Sequence, residues 1–354
     1  LVGSEMCIRD RVSSELHYND KNLIEKVIRA LSLLEMLVKA GCPLVFKGGT
    51  ALMLILGKSA HRLSIDIDLI CPPGTNIEDY LKSFADFGFI NLELVERKQR
   101  DDADIPKSHS KFFYQIAYRN DTDAQSYILL DVLYEDIHYF RTQQIAINCP
   151  FIRLEGKPLM VTVPSAEDIL GDKLTAFAPN TTGIPYYRNG RSCSMEIAKQ
   201  LYDVGRLFEN VSDLQITKEA FRKIAVVELS YRSFGTDIGQ VFNDIRQTAL
   251  CISTRGKAGE GDFDLIQDGI IRVKSFMYKQ RYLIDHAIID AARAAYLATL
   301  IEKGINEIES YSNNPADIKD MVIRPSLPNK LNKLRSNLPE AYYYWAKTSE
   351  LLEA

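Results

Sequence analysis

From Asn22 to Gly41 the chain reads "NLIEKVIRALSLLEMLVKAG", with apolar residues at three- and four-residue intervals. That spacing predicts an amphipathic helix closed by a C-terminal glycine. "CPLVFKGGT" follows as a short apolar run ending at Gly48-Gly49. "ALMLILG" then predicts a mostly buried helix, opened by Thr50 and closed by Gly57. In "HRLSIDIDLI" the period changes to two. Leu63, Ile65, Ile67 and Leu69 form one row; Arg62, Ser64, Asp66 and Asp68 form the other. This alternation predicts a half-buried strand with one polar face. "NIEDYLKSFADFGF" is amphipathic and predicts a helix. "NLELVERKQ", "KFFYQIAYR", "SYILLDVLYE" and "LMVTV" predict strands, with "RDDADIPKSHS" as a polar loop between them.

The pattern changes at Pro164. "PSAEDILGDKLTAFAP" opens with Ser165 as N-cap and acids in the first turn. Five further segments carry the 3.6-residue period: "SMEIAKQLYDVGRLFEN", "TKEAFRKIAVVELSYR", "TDIGQVFNDIRQTALCIS", "DFDLIQDGIIRVKSFMY" and "HAIIDAARAAYLATLIEKGI". The expected architecture is α+β: an α/β core over 13–163, then a helical domain over 164–354. "RPSLPNKLNKLRSNLP" reads as a basic, proline-punctuated linker with one short helix. Residues 1–12 carry no periodic pattern and are expected to be a non-native scar, leaving Cys7 without meaning. No internal repeat or low-complexity segment is present.

Composition narrows the function classes. The chain has 354 residues, of which 46% are hydrophobic, enough for a sizeable core and more readily two domains than one. A net charge of −4 excludes a globally basic nucleic-acid coat but not a local patch. Six scattered cysteines form no CxxC pair and five histidines show no zinc spacing, which favours a reducing cytoplasm. Apolar runs are too short to cross a membrane, and no secretory leader is expected.

The chemistry gathers on the polar row. Asp66 and Asp68 are like charges two residues apart, at roughly 7 Å or less on a strand, where they repel. They are either solvated decoration or ligands of a shared hard cation such as magnesium. Gly48 and Gly49 lie between a predicted strand and a predicted helix, where backbone N–H groups attract phosphate. Gly-Gly alone is weak; beside two carboxylates it suits a metal-bound nucleotide. Asp131 interrupts the apolar strand "YILLDVL". It either faces solvent at an edge or completes a set of three carboxylates able to hold two magnesium ions roughly 3.5–4 Å apart.

A glycine turn, an Asp-x-Asp strand and a later strand aspartate resemble the polymerase-β-like nucleotidyltransferase fold. The variant "FKGGTAL…G…HRLSIDIDL" resembles the AbiEii/AbiGii toxin family, which includes the MenT-type toxins. "DILGDKLTAF" resembles its helix with an active-site lysine, here Lys173, and "KQLYDVGRL" its last motif, with Asp203. The matching segments run from about Val45 to Leu207. One departure is the long segment between Lys173 and Asp203, rich in Gly, Pro, Asn and Arg. The resemblance implies transfer of a nucleotide from an NTP to an acceptor hydroxyl. Asp66, Asp68 and Asp131 would hold Mg2+. Gly48, Gly49, Thr50, Arg62, Ser64 and Lys173 would bind the triphosphate. Asp203 would act with them. Three of these residues have bland readings as well. Lys173 could be a snorkelled lysine, Asp203 a helical partner of Lys199, and Arg62 a partner that relieves the Asp66/Asp68 repulsion.

The resemblance further implies an RNA (tRNA) acceptor and a cognate antitoxin. Lys107, Lys111, Arg188, Arg191, Lys330, Lys333 and Arg335 could meet an RNA backbone, though each is also an ordinary surface charge. Rival readings are a small-molecule nucleotidyltransferase, an idle nucleotide-binding module whose acids hold calcium or nothing, and a helical interaction protein.

Overall fold

The computed structural model describes residues 14, 18, 20–94, 107–116, 124–152, 154, 156–211, 213–232, 235 and 237–354. The expected scar over 1–12 and Cys7 lie outside them.

Asp20 caps the first helix by accepting from the Leu23 amide at 3.0 Å. This helix, α1 (Lys21–Lys39), ends as expected, with Gly41 at φ +75° just beyond it. Its buried face, including Ile24, Val27, Ile28 and Leu31, packs on the sheet strands that follow. Each such side chain contributes about 1.5–3 kcal/mol by leaving water. Strand β1 (Val45–Lys47) leads directly into α2 (Gly48–Leu56). The helix therefore begins at the glycine pair, two residues earlier than a Thr50 start. Strand β2 (Ile67–Cys71) is shorter than the alternation suggested. Upstream of it, Arg62 bridges Met277, Leu63 N donates to Phe276 O at 2.8 Å, and Tyr278 N donates to His61 O at 3.1 Å.

"NIEDYLKSFADFGF" is not one helix; it forms two 3₁₀ turns, Ile77–Tyr80 and Phe84–Phe87. Asn76 accepts from the Glu78 amide, a local side-chain bond that favours a turn over a continuing helix. Strands β3 (Asn91–Leu94), β4 (Lys107–Gln115) and β5 (Gln125–Tyr134) complete a five-stranded sheet in the order β1-β2-β5-β4-β3. Only the β2–β5 pair is parallel, which makes the sheet mixed. Residues 107–110 are strand rather than loop, while the expected strand residues 95–99 and 117–119 and the loop over 100–106 lie outside the described residues. Along β5, Ile128, Leu130 and Val132 are buried, whereas Asp131 is on the other face. A separate ribbon pairs β6 (Thr142–Ala146) with β7 (Met160–Pro164).

The chain divides into two compact units: the described part of Leu1–Ser165 with Ser275–Arg281, and Ala166–Lys274 with Tyr282–Ala354. The expected single boundary at 163/164 has no counterpart for the return of Ser275–Arg281. The second unit is helical: α3 (Ala166–Ala176), a small hairpin of β8 (Tyr187–Arg188) and β9 (Arg191–Ser192), α4 (Ser194–Phe208), α5 (Gln215–Tyr231), α6 (Gly239–Ser253), α7 (Phe263–Val273), α8 (Ile284–Lys303), the short α9 (Leu334–Asn337) and α10 (Pro339–Glu353). The α+β class expected from the pattern holds. Helix α8 is the axis of this unit, packed by α4, α6 and α10. Its alanines let those neighbours approach closely. One polar knot sits on it: Arg293 donates to Asp290 at 3.3 Å, Glu209 at 3.0 Å and Glu340 at 2.5 Å. Burial pushes the Asp290 carboxyl up to about 6, against the pull of Arg293 and Arg206.

Candidate functional site

The helix that opens at Gly48 is the first component. Gly48 has φ +78°, a conformation that L side chains resist. A Cβ there would lie 2.1 Å from Asp68 Oδ2 and 2.8 Å from its Cγ, so the carboxylate of β2 abuts the turn itself. A Cβ at Gly49 would meet Ser64 Oγ at 2.7 Å and Arg62 Nη2 at 2.8 Å. Each glycine thus admits a different part of the 62–68 segment. The N-cap residue, Lys47, makes no side-chain capping bond to this helix. Such ends leave backbone N–H groups and a positive dipole end available to an anion.

Thr50 differs from its expected role. It is fully buried, and its hydroxyl donates to the Asp66 carbonyl at 2.7 Å. It ties α2 to the backbone of the Asp-x-Asp segment instead of presenting a hydroxyl. Arg62 is buried as well, with Nη1 donating to Leu63 O at 3.0 Å.

Strand register assembles the second component. Lys47 is opposite Asp68, Asp68 opposite Asp131, and Asp131 opposite His109. Register partners on adjacent strands are roughly 4.8 Å apart in the pairing direction and share a face. A single row therefore crosses β1, β2, β5 and β4. His109, which the sequence reading passed over, donates Nδ1–H to Asp131 Oδ1 at 2.5 Å. Asp66 lies two residues before Asp68, just upstream of β2, and all three carboxylates are partly exposed. As placed, no three His, Cys, Asp or Glu side chains among the described residues stand close enough to hold an ion. The donor chemistry nonetheless fits a hard cation. Two carboxylates are register partners on parallel strands, beside the helix end that opens at Gly48, with no soft ligand in the row.

The second unit holds the other motif residues. Lys173, on α3, donates to Asp203 of α4 at 2.9 Å and to Gln200 at 3.0 Å. The pair is buried, so Asp203 is the partner of Lys173 across two helices. The long segment between them does not keep them apart, because Asp244 anchors it. That carboxylate accepts from Asn180 N at 2.9 Å, Asn180 Nδ2 at 2.7 Å and Thr181 Oγ1 at 2.9 Å. Burial pushes the Asp244 carboxyl up, and these donors pull it back. Farther on, Asn189-Gly190 turns the β8–β9 hairpin with both residues at positive φ.

The sequence profile described as "Nucleotidyl transferase AbiEii toxin, Type IV TA system" matches residues 31–317. The chain belongs to this family. It is accordingly a nucleotidyltransferase of the AbiEii toxin type, whose family implies an NTP substrate and an antitoxin partner. Nucleotidyltransferases generally use a divalent metal as well. No curated protein sequence matches the chain. Among solved structures, the chain is similar to MenT4, a nucleotidyltransferase toxin from Mycobacterium tuberculosis, at 14% identity over 83% of this chain and 89% of that one, TM-score 0.43. It is also similar to JHP933 from Helicobacter pylori, at 16% identity over 80% of this chain and 91% of that one, TM-score 0.39. Among the described residues, no helix of this AbiEii-family chain is long and apolar enough to cross a membrane.

Proposed function

We propose that this chain transfers a nucleotide from an NTP to a hydroxyl of RNA, most simply a tRNA end, in the cytoplasm, with Mg2+ held by Asp66, Asp68 and Asp131. One observation carries this reading: Asp68 and Asp131 are register partners, and Asp68 abuts the turn at Gly48. Held by those carboxylates, the cation would neutralise triphosphate charge and polarise the α-phosphate. The remaining roles belong to the chain's own groups. The N–H groups of Gly48 and Gly49 bind the β- and γ-phosphates, with Arg62 and Ser64 beside them. Thr50 holds the Asp66 backbone in place. Asp131 takes part in removing the proton of the attacking hydroxyl. The resemblance assigns Lys173 a charge on the triphosphate and Asp203 a part beside it; within the helical unit Asp203 orients the Lys173 ammonium.

An RNA acceptor is supported by the hairpin. Arg188 and Arg191 are exposed register partners across β8 and β9. Like charges directly opposite each other destabilise a ribbon, which an anionic backbone would relieve. Lys330 and Arg335 are less available, since both donate to backbone carbonyls of their own unit.

The test is incubation with each α-labelled NTP, Mg2+ and total tRNA. Label on RNA, lost with EDTA and with Asp68→Asn, is expected. Label only on a small molecule would replace the acceptor. No label, with thermal stability indifferent to NTP, would leave an idle module.

A further inference from the structure

We propose that His109 is a positioning residue for nucleotide transfer: it fixes Asp131 by Oδ1 and leaves Oδ2 to the cation. The proposal rests on Asp131 serving as an oxygen ligand.

His109 stands directly opposite Asp131 in the β4–β5 register, with its Nδ1 2.5 Å from Oδ1. Its ring is 7% exposed, so it cannot swing away without opening the sheet face. Among the described residues, Nε2 is buried with no hydrogen-bond partner. An orphaned buried ring nitrogen destabilises the fold. An apolar side chain would fill the same place without that cost, as Phe112 does on the other face of β4. What the imidazole adds is therefore one directional donor aimed at Asp131. The carboxylate needs it, because rotation about its terminal torsion is soft and otherwise leaves two equivalent oxygens. Asp131 takes no other hydrogen bond among the described residues, so Oδ2 stays open. Donors that orient a ligating group from behind are worth roughly 10–100-fold in metal affinity.

Two amide variants separate this role from packing. Asparagine places its nitrogen the same number of bonds from Cα as Nδ1, whereas glutamine places it one bond farther, like Nε2. The probe is Mn2+ alone, titrated against the whole chain and followed by water-proton relaxation; kcat and the metal dependence of transfer are measured alongside. Near-ultraviolet circular dichroism reports folding. His109→Gln and His109→Leu are expected to weaken Mn2+ binding by roughly tenfold or more, while His109→Asn stays within about threefold of the wild type. If the leucine variant does not fold, the Asn/Gln contrast decides. An Asn variant that fails to recover the affinity, or a Gln variant that keeps it, overturns the role of His109. If wild-type Mn2+ binding is unaffected by Asp131→Asn, the ligand reading of Asp131 fails, and this proposal goes with it.

Discussion

Replacing Gly48 by alanine adds one methyl group and tests the junction between turn and carboxylate. At φ +78° an L side chain costs about 1–2 kcal/mol of backbone strain. The new Cβ would also lie 2.1 Å from Asp68 Oδ2, where contacts under 3.0 Å essentially never occur, so the oxygen must retreat by 3.0 − 2.1 = 0.9 Å. Asp68 Cγ and Cβ are at 2.8 and 3.0 Å, so the whole side chain moves and not only its tip. A displacement of about 1 Å in a reacting constellation costs on the order of 100-fold in rate. Gly49→Ala is the internal control. Gly49 has no positive φ, and its nearest contacts are the ends of Ser64 and Arg62. Label transfer from NTP and thermal unfolding are measured on both variants. Gly48→Ala should lose about 2–4 °C per kcal/mol of strain, together with the larger rate loss. Gly49→Ala should melt near the wild type and lose less activity. Equal effects of the two, or full activity in Gly48→Ala, would refute the argument that Asp68 is held against the turn.

Removing either member of the buried Lys173–Asp203 pair takes the opposite charge away from the other, although Lys173 keeps its bond to Gln200. Lys173→Ala and Asp203→Ala should each cost about 3–5 kcal/mol in denaturant unfolding, and the double variant clearly less than their sum. Single losses under about 1 kcal/mol, the range of surface pairs, would contradict the burial of this pair. Folded Asp290 keeps its proton up to about pH 6, whereas the unfolded chain releases it near 3.8. The folded state thus binds more protons in that window, and stability falls as pH rises through it, by on the order of 2–3 kcal/mol. Asp290→Asn should flatten this slope in unfolding midpoints taken from pH 4 to 7. A variant with the same slope would remove Asp290 as its cause.

The carboxylates were legible because alternation fixes faces. Asp66 and Asp68 share a row, and Asp131 stands alone in an apolar strand, so both readings needed only period two. His109 was hidden for the converse reason. On β4 its neighbours Ser108 and Ser110 occupy inward positions, and Ser110 is buried without an apolar signal. "KSHS" therefore read as loop. The role of Thr50 was equally out of reach, because its partner is a backbone carbonyl sixteen residues away. The return of Ser275–Arg281 to the first unit leaves no local trace either. "KSFMY" carries on the period of α7, and its long-range contacts, with His61, Arg62 and Leu63 among them, show where it goes. Register, unlike period, is a long-range property, and it made the row from Lys47 to His109.

The decisive measurement is anomalous scattering from crystals of the chain soaked in Mn2+ with a non-hydrolysable NTP. An anomalous peak contacting oxygens of Asp66, Asp68 and Asp131, with phosphates on the amides of Gly48 and Gly49, is the expected result. Manganese bound elsewhere, or nucleotide bound away from that turn, would contradict it.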